Sequence, residues 1–245
     1  MNSVTSRKGM IWWDFDGTLV ATRPRWSEAA HQLLTAVVPN HRLLHADFGK
    51  VFSSGFPWHG PNYAHPELDK EDWWESIHSL YSEAFHKLGY PEAADPTILA
   101  NLRAIILASD AYIVFADVAP VLSSLSAKVW RHIIVSNHVP ELPEVVAALG
   151  LNTHFDEVLT SGIVGYEKPH PQMFQTALSY TRSDEPIWMV GDSVEADCRP
   201  GVAAGAQAIL VRRPSAAFLP YAADLWEVLK LIEADEGTQD RLISN

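Results

Sequence analysis

Seven side chains able to do chemistry stand at four separated places in the chain: Asp14 and Asp16 in DFDGT, Ser136 and Asn137 in VSN, Lys168 in GYEKPHPQMF, and Asp192 and Asp197 in GDSVEAD. Brought together, four carboxylates and one lysine carry three excess negative charges, so the set repels an anion unless a cation joins it. With a divalent ion present and one carboxyl protonated, the same set is neutral and can accept a dianion. The residue types thus suit proton transfer and anion neutralisation at a metal-assisted site. Taken singly, each has a plainer reading. Asp14 and Asp16 would form an acidic turn, Ser136 and Asn137 a helix N-cap, Lys168 part of a solvated loop, and Asp192 and Asp197 first-turn helix acids.

The case for a site rests on the elements that would carry these residues. Met10 to Trp13 is a short apolar run ending at Asp14, the pattern of a buried strand. Similar runs predict strands over Val129 to Val135, Glu157 to Thr160, Ile187 to Val190 and Ala208 to Val211, with helices over Glu141 to Leu149, Pro171 to Tyr180, Glu195 to Ala204 and Ala222 to Ala234. Strands alternating with helices of this length imply an α/β fold, a parallel sheet covered on both faces in a Rossmann-like three-layer core. Ligands of open parallel sheets bind outside the carboxyl ends of the strands, where the four segments would converge. The alternation breaks over 22–116, where helices are predicted at Pro24 to Val38, Glu71 to Leu88 and Pro96 to Asp110. Asp69 is the expected N-cap and Gly89 the expected stop of the middle helix. The expected organisation is a core of 1–21 and 117–245 with an all-helical cap subdomain, 22–116, inserted after the first strand.

The four motifs, in this order, resemble those of the haloacid dehalogenase (HAD) superfamily of hydrolases, mostly phosphatases. The resemblance runs from residue 10 to about 212. It implies a Mg²⁺-dependent phosphomonoester hydrolase acting on a small phosphorylated metabolite through an aspartyl-phosphate intermediate. By that resemblance Asp14 is the nucleophile, and Asp16 protonates the leaving oxygen and then deprotonates the hydrolytic water. Mg²⁺ is held by the Asp14 carboxylate, the Asp16 carbonyl and Asp192, an all-oxygen set that suits this hard ion. Lys168 and Ser136 act on the phosphoryl oxygens, with Thr18 and Asn137 among the substrate-binding residues, and Asp197 supports the metal's waters or Lys168. Other readings are a metal-free 2-haloacid dehalogenase, a phosphomutase, and a non-catalytic small-molecule-binding module. Asp16 argues against the dehalogenase, because a departing halide needs no proton whereas an alkoxide does. A phosphonatase would need an activated cap lysine, and nothing marks Lys50, Lys70 or Lys87 as one.

Composition narrows the partners. Lys and Arg total 18 against 30 Asp and Glu, a formal charge of −12, which disfavours a nucleic-acid partner. Apolar residues make up 47% and charged residues 20%, the balance of a folded globular chain. A single cysteine, Cys198, excludes an intramolecular disulfide and is expected to be a small buried residue. With neither an apolar leader nor a stretch long enough to span a membrane, the expected location is the cytoplasm. His41 and His45 have the spacing of a metal pair but no evident third ligand, and are expected on a surface helix. The paired Trp73 and Trp74 are expected in the cap's apolar core. Ser53 to Leu68, rich in Gly, Pro and aromatics, is expected to be a long loop contributing Phe56, Trp58, His59 and Tyr63 to a lid. Oligomeric state leaves no signature.

Overall fold

The computed structural model describes residues 8–60, 62, 64–65 and 68–243. Six strands form one parallel sheet: β1 (Gly9–Trp13), β2 (Trp130–Ser136), β3 (Glu157–Thr160), β4 (Ile187–Gly191), β5 (Gln207–Val211) and the short β6 (Tyr221–Ala222). Their spatial order is β3-β2-β1-β4-β5-β6. All five residues of β1 are buried, as its unbroken apolar run requires of a central parallel strand. The connections turn one way from β1 to β2 and β3, then return to lay β4 on the other side of β1. The carboxyl end of β1 is therefore the point where strand order reverses, and where an open sheet parts to admit a ligand.

Successive β1 side chains point to opposite faces. Trp13 and Ile11 pack with Ile134 and Val190 under α6 (Val118–Ala127), α7 (Leu142–Ala148) and α11 (Leu225–Ile243). Trp12 and Met10 pack with Ile133 and Met189 under Phe174 of α9 (Pro171–Leu178) and under Cys198, which is buried as expected.

Some element boundaries differ from the sequence reading for identifiable reasons. Helix α6 was not predicted, although Val118, Val121, Leu122 and Leu125 have helical spacing; its Pro120 lies in the first turn, where a missing N–H costs nothing. The helix expected from Ala222 starts three residues later, because Ala222 pairs in β6 and the Asp117 carboxylate receives the Leu225 N–H at 2.8 Å. The helix expected over Glu195 to Ala204 is a π-helical turn (Val194–Cys198) followed by α10 (Arg199–Ala203). In that turn the Cys198 N–H reaches back five residues to the Ser193 carbonyl, and Pro200 has no N–H with which to continue a regular ladder.

Between β1 and β2 the described residues contain no strand of the sheet. Helices α1 (Arg25–Val37), α2 (His45–Val51) and α3 (Lys70–Leu88) enclose a separate apolar cluster in which Trp73, Trp74, Ile77, Tyr81 and Phe85 of α3 meet Ala29, Leu33 and Leu34 of α1 and Phe48 of α2. Asp69 caps α3 by accepting the Glu71 and Asp72 N–H groups at 2.9 Å, and Gly89 ends it in the left-handed region at φ 82°. The predicted Pro96 to Asp110 helix divides into α4 (Pro96–Leu99) and α5 (Leu102–Leu107) with a further turn at Ser109–Ala111. The Asn101 side-chain amide ends α4 by donating to the Thr97 and Ile98 carbonyls. His41 and His45 do not share a helix: His45 opens α2, His41 precedes it, and both rings contact His31 of α1. The Thr35 hydroxyl and the Leu43 N–H occupy the two nitrogens of His41, which removes it as a metal ligand. Among the described residues no helix is long and apolar enough to cross a membrane.

Candidate active site

Strand β1 delivers Asp14 to the reversal point, and the Asp14 N–H is fixed to the Val190 carbonyl of β4 at 2.9 Å. From β2 comes Ser136, whose hydroxyl lies 3.4 Å from Asp14 Oδ1. Lys168 reaches the same Oδ1 with its ammonium at 2.7 Å and holds Asp197 Oδ1 at 2.6 Å on its other side. All four side chains are nearly or fully buried. Burial alone would favour a neutral lysine, but the two carboxylates hold the Lys168 pKa above that of an ordinary lysine. Burial pushes Asp197 up, while Lys168 pulls it back. The second oxygen of Asp197 accepts the Ser193 N–H at 3.0 Å, a contact set by the π-helical turn. Both oxygens of Asp197 are thus engaged, one by Lys168 and the other by the Ser193 N–H.

The backbone of Lys168 is equally constrained. Asn137 donates from Nδ2 to the Lys168 carbonyl at 2.9 Å and accepts the Lys168 N–H on Oδ1 at 2.6 Å. Its amide therefore acts as a clamp on the lysine loop, and the residue also lines the cavity, where the sequence reading placed it with the substrate-binding residues. Thr18, expected in the same group, is placed differently. It is fully buried behind Asp14, with its hydroxyl 3.3 Å from Asp14 Oδ2, and it does not line the cavity.

Asp192 at the end of β4 completes the cluster. One carboxylate oxygen from each of Asp14, Asp192 and Asp197 lies within 4.8 Å of the others. Burial, and then the Asp14 charge, push the Asp192 carboxyl up to about 6. A carboxyl raised by burial and by a neighbouring carboxylate in this way belongs to a donor set that a hard divalent cation relieves. Gly17, at φ 83°, lets Asp192 close over the DFDGT turn: a Cβ there would stand 2.3 Å from Asp192 Oδ2. The residues present therefore fit Mg²⁺ at Asp14 and Asp192, beside the Asp16–Gly17 peptide.

These groups open into a cavity of about 300 Å³ lined by Asp14, Asp16, Ser136, Asn137, Lys168, Asp192 and Asp197 on the sheet side. Trp26, Trp58 and Ile106 of the helical insertion line it from above. Trp58 stacks on Phe56 with ring centroids 4.5 Å apart, so Phe56 lies buried beneath the cavity wall. His59 does not line the cavity, and Tyr63 lies outside the described residues. Neither Trp73 nor Trp74 lines it; Trp74 instead donates its indole N–H to the buried Glu141 carboxylate.

Two residues that sequence reasoning missed stand beside Asp16. Arg25, at the start of α1, donates from Nη2 to Asp16 Oδ2 at 2.7 Å and lies over the Tyr112 ring at 4.4 Å. His138 places Nε2 at 3.8 Å from the same oxygen. Burial, reinforced by the Arg25 charge, pushes His138 down to about 4, so its ring is neutral near pH 7. Burial raises Asp16, but Arg25 and His138 outweigh it and leave its pKa below the ordinary aspartate value. His138 adjoins the VSN motif and could have been flagged by that proximity. Arg25 has no sequence signal, because its partner is fixed only by the docking of α1.

The profile of a hydrolase family, the haloacid dehalogenase-like hydrolases, matches residues 10–205. The Homo sapiens haloacid dehalogenase-like hydrolase domain-containing protein 3 is 28% identical over 218 residues, covering 84% of this chain and 83% of that protein. A phosphoserine phosphatase from Thermus thermophilus is 40% identical over 82 residues, 33% of each chain. Among solved structures, a 2-haloacid dehalogenase from Pseudomonas syringae superposes with a TM-score of 0.66 at 21% identity, covering 94% of this chain and 99% of the other.

Proposed function

The chain belongs to the haloacid dehalogenase-like hydrolases, and from that premise we propose that it is a Mg²⁺-dependent phosphatase acting on small phosphomonoesters. The observation that carries this choice within the family is the Asp16 carboxylate, which lines the cavity two residues from Asp14. Hydrolysis at carbon with halide departure needs no such group, whereas expulsion of an alkoxide from phosphorus does. The partial similarity to a phosphoserine phosphatase supports the same choice.

Asp16, ionised and paired with Arg25 in the free protein, takes up a proton as the dianionic substrate binds; Asp14 then attacks phosphorus through Oδ2 or Oδ1, the ester oxygen departs with that proton, and the phosphoryl group is left on the Asp14 carboxylate. Asp16, now ionised, takes a proton from the water that attacks this intermediate, releasing phosphate and regenerating Asp14. Lys168, held as an ammonium between Asp14 and Asp197, neutralises the nucleophile and the charge gathering on the phosphoryl oxygens. Ser136 supplies a neutral hydrogen bond to the same oxygens. Asp14, Asp192 and the Asp16 carbonyl would hold Mg²⁺, which when bound supplies the positive charge that four carboxylates otherwise deny to a dianion. The helical insertion acts as a cap over the cavity, with Trp26 and Trp58 facing the substrate's leaving group.

The test is hydrolysis of p-nitrophenyl phosphate and a panel of metabolite phosphates with Mg²⁺ or with excess EDTA, using Asp14→Asn as the blank. Turnover that needs both Mg²⁺ and Asp14 is expected. Substantial turnover in EDTA, or in Asp14→Asn, contradicts the proposal.

A further inference from the structure

Arg25 is only 7% exposed, yet it lines the cavity on the side of the helical insertion. One nitrogen, Nη2, binds Asp16; Nε and Nη1 are buried without any hydrogen-bond partner. Buried guanidinium N–H groups are costly to leave unsatisfied, and proteins seldom keep two of them without a use. Apart from Asp16, the carboxylate whose charge acts on it is Glu28, which Arg23 holds at 3.1 Å. His138 next to it is a neutral ring, Tyr112 offers an aromatic face, and the cavity wall beyond is Trp26, Trp58 and Ile106. Arg23, which lines the same cavity, adds a second cation there, paired with Glu28 at 3.1 Å.

The phosphoryl group does not account for Arg25. Lys168, Ser136 and the acidic cluster form the phosphoryl end of the cavity, while Arg25, at the start of α1, lines it from the helical insertion, the side on which this reading puts the leaving group of a substrate. A guanidinium offers planar, forked donors that match a carboxylate or a phosphate oxygen pair. We infer that Arg25 is an anion-recognition residue, and that the preferred substrates are phosphomonoesters whose leaving group carries a second anionic group, a carboxylate or another phosphate. This rests on the phosphatase reading and names its substrate class. The second anion takes the open donors of Arg25 and draws the guanidinium away from Asp16.

A three-carbon series separates the possibilities: glycerol 3-phosphate with a neutral leaving group, 3-phosphoglycerate with a carboxylate, and propanediol 1,3-bisphosphate with a second phosphate. The wild type is expected to prefer one or both of the acidic members over glycerol 3-phosphate by about tenfold or more in kcat/KM, and the better of the two identifies the anion. Arg25→Met should erase most of that preference, chiefly through KM, and Arg25→Lys should restore part of it because charge survives without the fork. Should Arg25→Met fail to fold, competition by glycerate against glycerol in the wild type reads the same preference without a variant. A wild type indifferent to the second anion, or an Arg25→Met variant that loses activity equally on all three, overturns the inference. Thermal-shift binding keeps the two proposals apart. A protein that hydrolyses none of the series but binds 3-phosphoglycerate more tightly than glycerol 3-phosphate refutes the phosphatase reading and retains the Arg25 site. One that hydrolyses all three alike does the reverse.

Discussion

Lys168 concentrates the electrostatics of the site in one side chain. Its ammonium is buried between Asp14 and Asp197, so neutralising it leaves two buried carboxylates without their shared cation. Lys168→Met is expected to lower kcat by about a thousandfold or more, the scale at which a charge poised for the transition state contributes. It should also cost about 3 kcal/mol of stability in urea denaturation, because breaking a buried pair strands its partners. Retention of either quantity near the wild-type value would mean that the ammonium is not the group that balances this cluster. At this scale the sequence was most informative. Asp14, Asp16, Ser136, Lys168, Asp192 and Asp197 could be expected to meet because each follows a strand or occupies a connecting loop with its motif intact, and they line one cavity. Thr18 and Asn137 were placed at the right location, but their contacts were not legible: one backs Asp14 and the other clamps Lys168. Arg25 was invisible because an arginine at a helix start means nothing until its helix docks on the sheet.

At the level of elements, the Asn137 amide ties the backbone of the lysine loop to the end of β2. Asn137 follows β2 and makes two hydrogen bonds to the Lys168 backbone, so it converts the position of a strand end into the position of a catalytic loop. Asn137→Ala should leave the circular dichroism spectrum unchanged and lower kcat about tenfold to a hundredfold, the penalty for a loosely held reacting group. An unchanged kcat would show that the loop is positioned by other contacts. Strands β1 to β5 were readable from apolar runs because a parallel sheet buries both faces. The elements that escaped depend on contacts that periodicity does not report. β6 is two residues long and exists only as a neighbour of β5, α11 starts where Asp117 caps it, and the π-helical turn follows from Ser193 and Pro200 together. The apolar stripe of α3 was legible because its period, its cap at Asp69 and its stop at Gly89 all agree.

Across the whole molecule, acid stability should be governed in part by buried histidine. His132 accepts the Trp13 indole N–H on Nδ1 at 3.0 Å, and burial pushes its pKa down to about 4 from the ordinary 6.5. The unfolded chain therefore binds a proton that the folded chain refuses as pH falls through this interval. Stability from this group is fully present above pH 6.5 and is lost progressively as pH drops toward 4, by an amount on the order of 3 kcal/mol. Urea denaturation at pH 7 and pH 4.5 should show the loss, and His132→Gln, which keeps an acceptor for Trp13 without titrating, should show less of it. A variant with the same pH dependence as the wild type would assign the acid sensitivity to other groups. The charge of −12 has its counterpart in the architecture. Acidic residues collect at the carboxyl ends of the strands, and the cationic groups Lys168 and Arg25 line the same cavity.

The central claim is that Asp14 becomes phosphorylated, and the direct measurement is to trap that species. In Asp16→Asn the proton donor and the base for hydrolysis are both gone, but p-nitrophenolate leaves without protonation, so with Mg²⁺ the first step proceeds and the second stalls. Mixing this variant with p-nitrophenyl phosphate, quenching in acid and mapping peptides by mass spectrometry should place one phosphoryl group on Asp14. It should also give a burst of one p-nitrophenolate per protein molecule. Steady turnover with no phosphorylated Asp14, or a phosphoryl group on another residue, would contradict the account.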